Sequence, residues 1–213
     1  MEKYILFDLD GTLTDSGQGI KNAIKYAMDE MNLGECSEEI LNSFIGPPLI
    51  DSFKKHFDLD SEKALKAVET YRIYYKEKGK FENIPYDGIE KTLKTLKEKN
   101  NHLLLATSKP EVFAREILKH FNLDKYFDHI AGATLDGKIS EKSDVIKYCL
   151  ENYPHNIKET YMIGDRFYDI DGGKFWGLKT IGVTYGYGSR LELENAGADF
   201  IVDSPLEILN ILS

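Results

Sequence analysis

The sequence predicts an α/β protein: a parallel sheet flanked by helices, interrupted just after its first strand by an all-helical segment. Three observations carry this. The run Lys3-Tyr4-Ile5-Leu6-Phe7 is apolar and stops at Asp8-Leu9-Asp10-Gly11-Thr12, so Tyr4 to Phe7 read as a buried strand. From residue 16 to about residue 82 the pattern is helix and turn throughout. From Tyr86 onward helical and strand patterns alternate, which calls for parallel strands with helices on both faces.

Within the helical segment, Ile20, Ala23, Ile24, Ala27, Met28 and Met31 recur three and four residues apart and define a first helix, which Gly34 is expected to end. Ser37-Glu38-Glu39 opens a short second helix, and Phe44-Ile45-Gly46-Pro47-Pro48 forms a turn. Helices over 49–57 and 61–78 follow, the latter stopped by Gly79. Asn83-Ile84-Pro85-Tyr86 is the return linker. In the remainder, helices are expected over 87–99, 111–120 and 143–152, and strands over 102–106, 129–131, 160–163, 180–183 and 199–202. The expected organisation is a core of residues 1–15 and 84–213, with residues 16–83 as a helical insert.

Of the 213 residues, 42% are hydrophobic and 30% charged, as in a globular protein that buries a core. The net charge is −9 and no basic stripe stands out, which argues against a nucleic-acid polymer or an anionic membrane as partner. Cys36 and Cys149 offer neither a disulfide framework nor zinc-ligand spacing. No leader peptide and no membrane span is read, so the expected compartment is the cytoplasm. Monomer and homodimer both remain open.

The chemistry is expected at the carboxyl ends of the strands, where ligands bind in such sheets. Asp8 and Asp10 sit two residues apart at the tip of the first strand and aim to one side. Two such carboxylates repel unless a cation lies between them or one stays protonated, and Mg²⁺ is a hard, oxygen-seeking candidate for the cation. The second strand ends in Thr107-Ser108-Lys109-Pro110, with a hydroxyl at the tip and Pro110 at the start of a helix. Lys138 and Lys142 precede the helix of 143–152 and compete for one role. The strand of 160–163 ends in Gly164-Asp165-Arg166-Phe167-Tyr168-Asp169, again with acids. Taken singly these could be an acidic turn, a Ser/Thr cap and a surface lysine. Their order at successive strand ends of one sheet is what gives them weight.

In those motifs the chain resembles the haloacid-dehalogenase-like hydrolases, most of all the phosphoglycolate-phosphatase-like branch. Asp8-Leu9-Asp10-Gly11-Thr12-Leu13 matches the first family motif, Thr107 the second, Lys142 the third and Gly164-Asp165 through Asp169 the fourth. The chain departs from the family in Ser140-Glu141-Lys142-Ser143, where Lys-Pro-x-Pro is common, and in Arg166, where threonine is common. The resemblance implies a Rossmann-like core with a helical cap, and a Mg²⁺-dependent phosphatase for small phosphomonoesters working through an aspartyl-phosphate. It implies Asp8 as nucleophile, Asp10 as general acid and base, and metal ligation by Asp8, Asp10 and Asp165. Thr107, Ser108 and Lys142 would hold the phosphoryl group, with Asp169 in support. Gln18, Phe44, Ile45, Gly46 and Pro47 are the cap residues expected to select the substrate, with phosphoglycolate, sugar phosphates and nucleoside monophosphates as the candidates. A β-phosphoglucomutase-like transferase is the alternative, disfavoured because Arg72 is the only arginine between residues 16 and 85. A receiver-like signalling module would need neither Asp10 nor the insert.

Overall fold

The computed structural model describes residues 2–212. Strands β1 (Tyr4–Phe7) and β2 (Thr14–Asp15) are followed by helices α1 (Gly17–Met31), α2 (Glu38–Ser43), α3 (Leu49–Phe57) and α4 (Ser61–Glu77). Then come β3 (Ile84–Pro85), α5 (Ile89–Glu98), β4 (His102–Pro110), α6 (Glu111–His120), β5 (His129–Ala133) and α7 (Lys142–Asn152). The chain finishes with β6 (Thr160–Gly164), α8 (Phe167–Phe175), β7 (Lys179–Val183), α9 (Arg190–Asn195), β8 (Phe200–Val202) and α10 (Ile208–Leu212). It divides into two compact units, one of Met1–Asp15 with Pro85–Ser213 and one of Ser16–Ile84. No helix among the described residues is long and apolar enough to cross a membrane.

The α/β unit is built on a six-stranded sheet of order β5-β4-β1-β6-β7-β8, every neighbouring pair parallel. The strands are apolar at consecutive positions because both faces are covered. Ile5, Phe7, Leu103, Leu105, Tyr161 and Ile163 point to one face, against Leu93 of α5 and Ile117 of α6. The residues between them, Leu6, Leu104, Ala106 and Met162, point to the other, against Val145, Ile146 and Cys149 of α7. This two-residue alternation is what strand geometry requires of a sheet with two buried faces. The chain steps outward from β1 to β4 and β5, then returns to lay β6 on the other side of β1. The strand order therefore reverses between β1 and β6, and a crevice opens at their carboxyl ends.

The structure departs from the pattern in the sequence most plainly at α1, β4 and α8. α1 ends at Asn32, which takes the left-handed conformation (φ 52°), two residues before Gly34. Asparagine tolerates that conformation because its short amide can bond locally. β4 continues past Ala106 to Pro110, which then serves as the N-cap of α6 and not as its first residue. α8 is absent from the periodicity because Gly172 and Gly173 weaken the helical signal. They are there for packing: a Cβ on Gly173 would come within 2.9 Å of Met162 and Thr180 in the sheet below.

The helical unit packs α1 against α4, and α3 against α4. Ala23, Ala27, Ala64 and Ala67 are fully buried on α1 and α4, small enough for the two helices to approach closely. Asp60 caps α4 by accepting the N–H of Lys63 at 2.8 Å, and Ser37 caps α2 by accepting that of Ile40. Phe44, Phe53 and Phe57 form an aromatic cluster, with Phe44 and Phe53 ring centroids 5.0 Å apart.

Leu105 is fully buried in the centre of the sheet. Leu105→Ala is expected to destabilise the protein by about 2–5 kcal/mol, as a shifted urea midpoint with an unchanged slope.

Candidate active site

Asp8 directly follows β1 and Asp165 directly follows β6, so the two carboxylates stand side by side at the reversal of strand order. Asp169 joins them from the first turn of α8, which starts immediately after β6. Carboxylate oxygens of Asp8, Asp165 and Asp169 lie within 4.8 Å of one another. Asp165 is fully buried and Asp169 is 1% exposed. Gly11 makes the approach possible: it turns the chain at φ +80°, and a Cβ there would collide with the Asp165 carboxylate.

Lys142, the first residue of α7, answers this charge. Its Nζ lies 2.8 Å from Asp8 Oδ1 and 2.8 Å from Asp169 Oδ1, and it donates to the Ala106 carbonyl at 3.1 Å. Two carboxylate oxygens and one carbonyl thus surround the ammonium. A cation at a helix N-terminus opposes the helix dipole, and the two carboxylates outweigh that. Burial works against the charge of Lys142, but Asp169 and Asp8 hold its pKa above the usual lysine value. Lys138, the rival in the sequence, is exposed and pairs with Asp136 at 2.8 Å.

Asp10 goes elsewhere than to the three-carboxylate cluster. Its Oδ2 accepts a hydrogen bond from Lys109 Nζ at 2.5 Å, and the Lys109 side chain is only 5% exposed. The sequence reading gave Lys109 no role. What brings it into the site is an irregularity in β4: Thr107 pairs with Gly132, and the next pair is Pro110 with Ala133. Two extra residues, Ser108 and Lys109, are therefore bulged out of the ladder, and a bulge re-aims side chains. Thr107 is buried at the strand tip, its hydroxyl accepting the Lys109 N–H at 3.2 Å, and Ser108 is half-buried. The local signal for Lys109 was a lysine directly after the strand-tip hydroxyl, but nothing in one strand's sequence announces a bulge.

Arg166 is held by the protein: its Nε donates to Glu192 of α9 at 2.8 Å. Its backbone N–H donates to Asp169 Oδ2 at 3.1 Å, so Asp169 also stabilises the start of α8. A second element the sequence did not single out is the loop Tyr185-Gly186-Tyr187-Gly188 after β7. The Tyr187 N–H donates to Asp165 Oδ2 at 2.7 Å. Of the candidates in the helical unit, Phe44 stacks in the aromatic cluster, 5.4 Å from the His56 ring. Gln18 is exposed and donates to Asn22 at 2.9 Å, Ile45 is buried, Gly46 is exposed and Pro47 is half-buried.

The donor set suits a divalent cation. The cluster sets three carboxyl groups against one ammonium, so its full ionisation would leave two negative charges without a partner within it. Asp165 Oδ1 is buried and accepts no hydrogen bond among the described residues. Such an oxygen is costly unless a ligand takes it. All the ligand atoms are carboxylate oxygens, the choice of a hard ion such as Mg²⁺.

Burial, and then the charges of Asp169 and Asp8, push Asp165 well above its ordinary 3.8. Burial likewise raises Asp169 to about 6, against the pull of Lys142. In the metal-free protein these groups bind protons more tightly than in the unfolded chain. For Asp169 the stability this contributes is full at low pH and is lost as pH rises from about 4 through about 6, and the raised Asp165 acts in the same direction. A bound divalent cation favours the ionised forms and reverses this trend. The rise in Tm on adding Mg²⁺ to chelator-treated protein is therefore expected to be larger near pH 7 than near pH 5, read by thermal unfolding.

The site can be set beside known proteins. Residues 5–183 match the family described as haloacid dehalogenase-like hydrolase. The chain is 41% identical over 189 residues to a 5'-nucleotidase of Pseudomonas aeruginosa, covering 89% of this chain and 86% of that protein. It is 36% identical over 186 residues to the tyrosine-protein kinase PtkA of Mycobacterium tuberculosis, covering 87% of this chain but 63% of the kinase. The crystal structure of a predicted phosphatase from Clostridium acetobutylicum superposes with a TM-score of 0.95 at 48% identity, covering 100% of this chain and 98% of that one. Matched over most of its length, with the acids of its first and fourth motifs gathered at one crevice, the chain belongs to the haloacid dehalogenase-like hydrolases.

Proposed function

We propose that this chain, a phosphoric monoester hydrolase, is a Mg²⁺-dependent phosphatase that hydrolyses small phosphomonoesters through an aspartyl-phosphate on Asp8. The observation that carries the reading is the Asp8, Asp165 and Asp169 cluster with Lys142 between Asp8 and Asp169. Asp8 attacks phosphorus in line with the leaving oxygen, and the P–O bond to the alcohol breaks. Asp10 gives a proton to the departing alkoxide, then takes one from the water that attacks the phosphorus of the acyl phosphate, releasing Asp8 and inorganic phosphate. Lys109, paired with Asp10, holds that carboxylate in place. Lys142 keeps Asp8 oriented and brings a positive charge beside the phosphoryl oxygens, which Thr107 and Ser108 also contact. The carboxylates of Asp8 and Asp165 with the Asp10 carbonyl, supported by Asp169, would hold Mg²⁺, which would supply charge that offsets the repulsion between anionic Asp8 and the anionic ester.

The helical unit of residues 16–83 acts as a cap that excludes water, and residues around Gly46 select the leaving group. Nucleoside monophosphates lead the substrate candidates on the 41% identity to a 5'-nucleotidase, ahead of phosphoglycolate and sugar phosphates.

Phosphate release from a panel of nucleoside monophosphates, phosphoglycolate, sugar phosphates and p-nitrophenyl phosphate tests this. Release is expected with Mg²⁺ and lost with EDTA; no release from any member overturns the reading. Asp8→Asn is expected to lower kcat by roughly 10⁴-fold or more with an unchanged far-ultraviolet circular dichroism spectrum. Asp10→Asn is expected to cost roughly 10²–10⁴-fold, less for esters whose leaving alcohol is acidic, because a good leaving group needs less protonation.

A further inference from the structure

The loop between β7 and α9 grips Asp165 from one side and the chain after the first motif from the other. The Tyr187 N–H donates to Asp165 Oδ2 at 2.7 Å, and the Tyr187 hydroxyl donates to Asp15 Oδ1 at 2.6 Å. Two residues earlier, the Tyr185 hydroxyl donates to the Thr12 carbonyl at 3.1 Å, and its ring packs edge-on against Tyr86 with centroids 4.9 Å apart. Between them, Gly186 lies so close to the Gly11 carbonyl and to the Asp165 side chain that a Cβ would collide with both. A Cβ on Gly188 would strike the Asp165 carbonyl. Backbone thus lies directly against this one carboxylate, and two tyrosine hydroxyls tether the loop to the Gly11–Asp15 segment.

A loop that only connected β7 to α9 would need none of this. The arrangement commits one oxygen of Asp165 to a backbone N–H and leaves the other, buried Oδ1, without a donor among the described residues. One residue thus spans the two segments: the Tyr187 N–H engages Asp165 and the Tyr187 hydroxyl engages Asp15, with the backbone of Gly186 and Gly188 packed against Asp165 beside them. A donor to the far oxygen of a metal-binding carboxylate orients it, and such partners commonly carry 10–100-fold in metal affinity.

We propose that Tyr187 is a positioning residue for the divalent cation: anchored through its hydroxyl to Asp15, it presents its backbone N–H to Asp165 and so fixes the ligand oxygen of that carboxylate. The inference rests on the reading of Asp165 as a metal ligand. It assigns the Tyr185–Gly188 loop to the metal site, to which the strand-end acids alone had been assigned.

Mn²⁺ binding followed by electron paramagnetic resonance in the absence of substrate tests it, with steady-state turnover as the second readout. Tyr187→Phe removes one hydroxyl and no backbone group, and is expected to weaken Mn²⁺ binding by roughly tenfold. Its Mg²⁺ activation constant should rise by the same factor, while kcat at saturating Mg²⁺ stays within about twofold of the wild type, because the chemistry is untouched. Asp15→Ala removes the same bond from its other end at an exposed position and is expected to act in the same direction. The double variant is expected to lose less Mn²⁺ affinity than the two single losses combined, since both variants break the Tyr187–Asp15 bond. Unchanged Mn²⁺ affinity in Tyr187→Phe, or a loss confined to kcat, overturns the proposal. Asp165→Asn separates the two levels. If it binds Mn²⁺ as tightly as the wild type, or if the wild type binds none, the metal reading itself falls and the inference with it. If Asp165→Asn loses Mn²⁺ while Tyr187→Phe retains it in full, the loop assignment alone fails.

Discussion

The buried ammonium of Lys142, held between Asp8 and Asp169, is the interaction around which the site is organised. Three carboxylates within 4.8 Å of one another would drive their elements apart or force protons onto themselves. One ammonium fixed by three oxygens lowers that repulsion without abolishing it. What remains is a site that folds with carboxyl groups in excess of ammonium groups. Removing the ammonium alone would leave buried charge without compensation, which costs more than the pair contributes as a pair.

Topology delivers these groups from distant parts of the chain. Asp8, Lys142 and Asp165 come from segments more than a hundred residues apart in part, and they meet because β1 is flanked by β4 on one side and β6 on the other. A reversal of strand order leaves room at the carboxyl ends, with helices α7 and α8 beginning at the same rim. The bulge in β4 adds Lys109, and the loop after β7 adds a backbone donor to Asp165. Each carboxylate therefore has its own partner: Lys142 for Asp8 and Asp169, Lys109 for Asp10, the Tyr187 N–H for Asp165. Different partners give acids of similar intrinsic strength different surroundings within a few ångströms.

Much of this was legible in the residues alone. Apolar runs ending in Asp8, Thr107 and Gly164-Asp165 marked strand tips, since a buried strand cannot carry a carboxylate until it emerges from the sheet. The 3.6-residue spacing located α1, α3, α4, α6 and α7 within a residue or two, because each has one apolar face. α8 escaped that reading, having traded side chains for closeness at Gly172 and Gly173. Lys109 and the Tyr185–Gly188 loop escaped it too: the first depends on a strand irregularity, the second on a backbone N–H, and neither has a periodicity or a side-chain signature.

The sequence by itself determined the α/β class, the position of the helical insert and the acids that stand at strand ends. These follow from short-range rules of burial and alternation that act within a dozen residues. Only the tertiary structure placed Lys142 between Asp8 and Asp169 and Lys138 beside Asp136, gave Asp10 its lysine partner and turned one oxygen of Asp165 toward a backbone amide. Those choices turn on distances of about three ångströms between groups remote in the chain, and they become defined only when strand order, bulge and loop are all in place.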